Sequence, residues 1–224
     1  MAVEWGRSRL RASPTAWRKA GERFVAVIFC CLAWANIALA AASPRVLLVM
    51  GDSLSAAYGL AAPEGWVSLL GERLALKHPQ WIVVNASISG ETTAGGVARI
   101  DSALAQNRPA LLLIELGAND GLRGLPMDLA KANLERMIVA AKAADAQVML
   151  IGMEIPPNYG PEYTTQFRSM YRELAQRHAL PLLPFLLEPI ARERDAFQPD
   201  NLHPVAAAQP RILEHVWTLL EPLL

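Results

Sequence analysis

From residue 45 onward, short runs rich in leucine and β-branched residues alternate with longer stretches in which apolar side chains recur every three or four positions. A brief unbroken apolar run suits a buried strand, whereas a period near 3.6 suits a helix with one face against a core. The pattern predicts strands over residues 45–50, 81–85, 110–116, 147–153 and 180–183. It predicts helices over residues 66–77, 93–105, 128–143, 164–178 and about 211–220. Alternation of the two kinds is the rhythm of an α/β fold, and nearly continuous apolar strands imply a mostly parallel sheet covered on both faces. No internal repeat, low-complexity tract or linker interrupts the pattern, so the 224 residues suit one compact domain.

One segment departs from this rhythm. Residues 1–23 carry Arg7, Arg9, Arg11, Arg18, Lys19 and Arg23 against Glu4 and Glu22, and an uncharged apolar run from Phe24 to Ala40 follows. A basic region, an apolar stretch and a small-x-small tripeptide, here Ala38-Leu39-Ala40, form the layout of a secretory leader. The expected division is a signal peptide over residues 1–40 and a globular domain over 41–224, with cleavage after Ala42 as a near alternative. No adjacent arginine pair points to the twin-arginine route, and the residues before Cys30 and Cys31 do not form a lipoprotein box. General secretion to the periplasm or beyond is expected. An uncleaved membrane anchor is the rival, because the run approaches the roughly 20 residues that span a bilayer.

Setting this segment aside changes the composition that matters. Both cysteines lie inside it, so the mature domain has neither a disulfide nor a cysteine metal site. It also removes six basic and two acidic side chains from totals of 21 and 21, which leaves a formal charge of −4. That balance disfavours nucleic acid as a partner.

An open parallel sheet binds ligands beyond the carboxyl ends of its strands, where connections diverge to opposite faces. Three predicted strands end there in polar, glycine-bearing turns: Gly51-Asp52-Ser53-Leu54, Ser87-Ile88-Ser89-Gly90 and Gly117-Ala118-Asn119-Asp120. A serine on the first turn is accessible but unreactive until a base takes its proton and donors await the developing oxyanion. Asp200-Asn201-Leu202-His203-Pro204 supplies such a base, since a carboxylate three positions before an imidazole can fold back to its Nδ1 hydrogen and leave Nε2 free. The Gly90 backbone N–H and the Asn119 amide could join the Ser53 N–H as oxyanion donors. Taken singly, each feature also reads as an ordinary turn or helix cap.

Taken in order, these motifs resemble the four blocks of the GDSL/SGNH hydrolases. Residues 84–92, 115–124 and 157–160 are similar to the bacterial thioesterase I, lysophospholipase and arylesterase subgroup, and the likeness covers essentially the whole mature chain. It implies a three-layer α/β/α sandwich, flavodoxin-like, with a mostly parallel five-stranded sheet. It further implies Ser53 as nucleophile, Asp200 and His203 as the rest of a triad, and Ser53, Gly90 and Asn119 as the oxyanion hole. Ala118 and Asn201 stand where the subgroup often has glycine, and neither change removes a catalytic group. The subgroup closes a mobile loop over the acyl chain, which residues 120–125 match, so Asp120, Gly121 and Leu122 are candidate substrate contacts. Ile155, Pro156 and Tyr159 could form the opposite, apolar wall. Core or rim packing is an equally open reading for Tyr159 and Trp66.

His78, His178 and His215 fall in or at the ends of predicted helices and read as surface or helix-end residues. No H-E-x-x-H, phosphate loop, dinucleotide fingerprint or G-x-S-x-G elbow occurs. The expectation is a cofactor-free, metal-free serine esterase acting as a monomer. Its substrates would be small-molecule acyl or aryl esters or lysophospholipids, with thioesters chemically accessible, no nucleic acid, and at most transient contact with a membrane surface. Two other readings stay open: a carbohydrate esterase that removes acetyl groups with the same machinery, and a non-catalytic flavodoxin-like protein whose residue 51–55 turn holds an anion.

Overall fold

The computed structural model describes Met1 and residues 43–224, so the expected leader and its cleavage site lie outside the described residues. Five strands form, Arg45–Gly51 (β1), Trp81–Asn85 (β2), Leu111–Glu115 (β3), Gln147–Ile151 (β4) and Leu182–Leu183 (β5). All pair in parallel, in the order β2-β1-β3-β4-β5. Among the described residues six α-helices connect and cover them: Trp66–Lys77 (α1), Thr93–Asn107 (α2), Ala118–Leu122 (α3), Met127–Ala143 (α4), Pro161–His178 (α5) and Gln209–Leu220 (α6). Helix α1 packs with α6 on one face of the sheet, while α4 packs with α2 and α5 on the other. This is the three-layer, flavodoxin-like arrangement. None of the described helices is long and apolar enough to cross a membrane.

The uninterrupted apolar strands take the middle of the sheet, where both faces are covered. Leu47 to Met50 on β1 and Leu111 to Ile114 on β3 are wholly buried. Strand β2 departs from the expected two-sided cover. It is an edge strand, and Ile82 on it is 44% exposed.

Several boundaries differ from the sequence pattern for local reasons. Strand β5 begins at Leu182 rather than 180, because Ala179 turns left-handed (φ 51°) and the Leu180 N–H bonds back to Ala175 O to close α5. Pro181 then has no hydrogen to give a ladder. Strand β4 stops at Ile151, two residues before the predicted end. After β3, where a turn and a mobile loop were expected, a short helix runs from Ala118 to Leu122.

Register fixes what faces what at the rim. Gly51, which ends β1, lies opposite Glu115, which ends β3. Strand order reverses between these two strands, so their connections leave toward opposite faces and open a crevice.

Candidate active site

The turn after β1 is built to present a side chain. Gly51 is needed because a Cβ there would lie 2.7 Å from both Glu115 Oε2 and Ser55 Cβ. Beyond it the chain winds tightly, with the Ala56 N–H donating to Asp52 O (2.9 Å) and the Tyr58 N–H to Ser53 O (3.1 Å). The Leu54 N–H is taken by Asp52 Oδ1 at 3.0 Å. Ser53 is left partly exposed on the crevice side of this turn, between buried Asp52 and Leu54.

The loop before α6 comes to meet it. Asn201 adopts φ 60°, the left-handed conformation that asparagine tolerates better than most residues. The Gln198 N–H donates to His203 O at 2.7 Å, and Phe197 pairs with Pro204. The Gln198 side-chain amide also reaches Tyr58 O (2.8 Å) and Pro204 O (3.1 Å), tying the histidine loop to the serine turn.

As a result Ser53, His203 and Asp200 stand in one hydrogen-bonded line. His203 Nε2 is 2.8 Å from Ser53 Oγ, and His203 Nδ1 is 2.7 Å from Asp200 Oδ2. Asp200 Oδ1 accepts the N–H groups of Leu202 (2.9 Å) and His203 (3.0 Å). Partial burial alone would raise the Asp200 pKa. The two backbone donors, the imidazole hydrogen bond and its charge outweigh that and hold the carboxyl at about 2. The Tyr58 ring packs against the imidazole, centroid to centroid 4.4 Å. Neither that contact nor Gln198 stood out in the sequence, because both depend on two distant loops meeting.

Among the described residues the N–H groups of Ser53 and Gly90 have no acceptor, which leaves both open to a ligand. Gly90 is exposed in the turn after β2 at φ 79°, and its carbonyl accepts from Arg123 at 2.8 Å. Asn119 sits on the first turn of α3 and gives one amide hydrogen to Asp52 Oδ2 at 3.0 Å. Its side chain borders the crevice beside Ser53, whereas Gly90 lies outside the cleft wall.

A cleft of about 370 Å³ opens from Ser53 and His203. Leu122, Ile155 and Pro156 line it, together with Met153, Phe185, Leu187 and Phe197. The other three candidates are placed elsewhere. Asp120 is buried and accepts from the Thr93 backbone N–H (2.8 Å) and hydroxyl (2.7 Å), holding the start of α2. A Cβ on Gly121 would strike Phe167 and Ile155, so this residue packs inside. Tyr159 is 37% exposed, and its hydroxyl donates to Leu122 O at 2.8 Å, bracing the cleft wall from outside. Trp66 is fully buried. Among the described residues no three histidine, cysteine or carboxylate side chains gather as a metal site requires.

Comparison with known proteins places this geometry among relatives. The model of the GDSL-like Lipase/Acylhydrolase family matches residues 49–209. The chain is 49% identical over 183 residues to esterase TesA of Pseudomonas aeruginosa, covering 82% of this chain and 91% of that protein. It is 40% identical over 183 residues to the thioesterase 1/protease 1/lysophospholipase L1 of Escherichia coli, with 82% and 86% covered. Among solved structures, the psychrotrophic esterase EstA from Pseudoalteromonas sp., inhibited by monoethylphosphonate, superposes with a TM-score of 0.76 at 41% identity, covering 80% of this chain and 97% of that one.

Proposed function

The chain belongs to the GDSL-like lipase/acylhydrolase family and is an ester-hydrolysing enzyme, and from that premise we propose that it works through an acyl-serine intermediate formed on Ser53. His203 Nε2 takes the hydroxyl proton as Oγ attacks the ester carbonyl, and the ionised Asp200 stabilises the imidazolium that results. The N–H groups of Ser53 and Gly90 and the free amide hydrogen of Asn119 receive the oxyanion. Collapse of the tetrahedral intermediate breaks the bond to the leaving alkoxide, which takes the proton from His203. Water then repeats the sequence on the acyl-serine, releasing the acid and restoring the Ser53 hydroxyl. The observation that carries this reading is the unbroken hydrogen-bonded line from Ser53 through His203 to Asp200, opening onto a largely apolar cleft.

The cleft suits an acyl chain. Leu122, Met153, Ile155, Phe185, Leu187 and Phe197 offer apolar wall and no cation for a charged acid. Acyl and aryl esters and lysophospholipids fit it, and thioesters are open to the same chemistry. The leader-like residues 1–40 support an exported enzyme, periplasmic or secreted, and acyl-CoA is scarce outside the cytoplasm. A panel of p-nitrophenyl esters from acetate to palmitate, run beside lysophosphatidylcholine, tests both halves of the proposal. The wild type should favour one range of chain length, and Ser53→Ala should lose on the order of 10³-fold or more in kcat. Activity left undiminished in Ser53→Ala, or a flat response across the panel, overturns it.

A further inference from the structure

At the floor of the cleft and beneath it lie two carboxyl groups that the reaction does not use. Asp52 follows β1 and is 1% exposed, and Glu115 ends β3 with no exposure at all. Glu115 Oε2 accepts from the Ser55 hydroxyl (2.7 Å) and the Asp52 N–H (3.3 Å), whereas Oε1 has no partner among the described residues. Asp52 divides its oxygens, Oδ1 for the Leu54 N–H and Oδ2 for the Asn119 side-chain amide, each at 3.0 Å. Asn119 therefore spends one amide hydrogen on Asp52 and has the other for the cleft.

We propose that Asp52 is a positioning residue that fixes which face of the Asn119 amide meets the oxyanion, and that Glu115 supports it as a neutral carboxylic acid. The proposal rests on Asn119 being an oxyanion donor. An asparagine side chain can turn by half a revolution and present its carbonyl oxygen instead, which would repel the oxyanion it should stabilise. An ionised carboxylate accepts only, so it tolerates Nδ2 and rejects Oδ1. Two buried carboxylates so close cannot both hold charge cheaply. Burial, and then the charge of Asp52, push Glu115 well above the usual carboxylate range against the Ser55 and Asp52 N–H hydrogen bonds. Burial lifts Asp52 to about 6, opposed by the Leu54 N–H, the His203 charge and Asn119, with Asp120 adding a smaller upward push. Tyr171, from α5, is the remaining titratable group in this cluster, and burial keeps it protonated. Glu115, wholly buried with Oε1 unpartnered, is therefore the one of the pair that holds a proton more readily, which leaves the charge to Asp52, as the positioning role requires.

A double-mutant cycle tests this with p-nitrophenyl butyrate at pH 8, reading kcat and KM separately and checking each variant's melting temperature. Asn119→Ala should lose about 10²–10³-fold in kcat. Asp52→Asn should lose on the order of 10- to 100-fold in kcat with KM little changed, and next to nothing further in the Asn119→Ala background. Glu115→Ala should lower kcat, and Glu115→Gln, whose carbonyl can still accept from Ser55 and Asp52, should restore it. A full Asp52→Asn loss in both backgrounds overturns positioning while leaving the oxyanion assignment intact. If Asn119→Ala alone is harmless, the assignment itself falls and this proposal with it. If Glu115→Gln stays as impaired as Glu115→Ala at an unchanged melting temperature, Glu115 acts as an anion and its half of the proposal is wrong. Should Asp52→Asn not fold, the two Glu115 variants in both backgrounds carry the test.

Discussion

Replacing Asp200 with asparagine keeps shape and volume but should reverse the tautomer of His203. Asp200 Oδ1 is held by the N–H groups of Leu202 and His203, which leaves Oδ2 to Nδ1 of the ring. In the variant the amide oxygen stays with the two backbone donors, because turning it round gives up two hydrogen bonds worth about 1 kcal/mol each and sets an NH₂ group against them. Nδ2 then faces Nδ1, the ring proton moves to Nε2, and Nε2 can no longer take a proton from Ser53. A preference of about 2–3 kcal/mol holds that wrong tautomer by roughly 30 to 150 to one. Loss of the charge beside the imidazolium adds to this, and Ser-His-Asp sites in general lose about 10⁴-fold in kcat on this exchange. The Asp200 side chain is 38% exposed, so water can partly replace the missing charge and a loss on the order of 10³ is expected. KM should change little, since Asp200 does not line the cleft. Steady-state hydrolysis of a p-nitrophenyl ester, normalised to folded enzyme, measures this. A loss below tenfold, or one borne by KM, would refute the tautomer argument.

Three further outcomes follow from the packing and the charges. Gly117 sits at φ 118°, and a Cβ there would come within 2.4 Å of the Tyr171 hydroxyl, so Gly117→Ala should cost about 2–4 kcal/mol in a urea melt; a change under about 0.5 kcal/mol contradicts that packing. Ala191 is exposed at the edge of the cleft, and Ala191→Trp should narrow it, raising KM for palmitate esters more than for butyrate; an equal effect on both would place the chain elsewhere. Because Glu115 is raised by burial, the folded protein keeps a proton that the unfolded chain releases above its ordinary pKa of 4.5, so stability from this group falls as pH rises past that value. Glu115→Gln should therefore flatten the decline in melting temperature as pH rises above about 4.5, and a parallel decline in both proteins would contradict the buried neutral acid.

Much of the fold was legible because its elements are locally consistent. Helix α1 and strand β2 fall on their predicted bounds, since a polar or glycine-bearing break follows each apolar run. Helix α3 was not legible, because five residues carry no periodicity and its start depends on Gly117 adopting a left-handed conformation. Helix α5 begins at Pro161 rather than 164, and there a signal was available: proline favours the first helical turn. Ser53, Asp200 and His203 could be singled out because each stands in a short motif, and the structure brings them together. The cleft wall could not be read in full. Phe185, Leu187 and Phe197 come from the irregular chain between β5 and α6, where neither a period of two nor one of 3.6 says which way a side chain points. Asp120 was expected at the cleft because residues 120–125 match the loop that the subgroup closes over the acyl chain, but here residues 118–122 form a helix that sends it inward to Thr93.

Rapid quench of the enzyme during turnover of a p-nitrophenyl acyl ester, followed by mass spectrometry of its peptides, addresses the covalent step most directly. The acyl mass should appear on the peptide that carries Ser53, at a rate no slower than kcat, and should be absent when His203 is replaced by alanine. Product formation with no acylated peptide, or with the acyl group on another residue, would contradict a serine nucleophile at this turn.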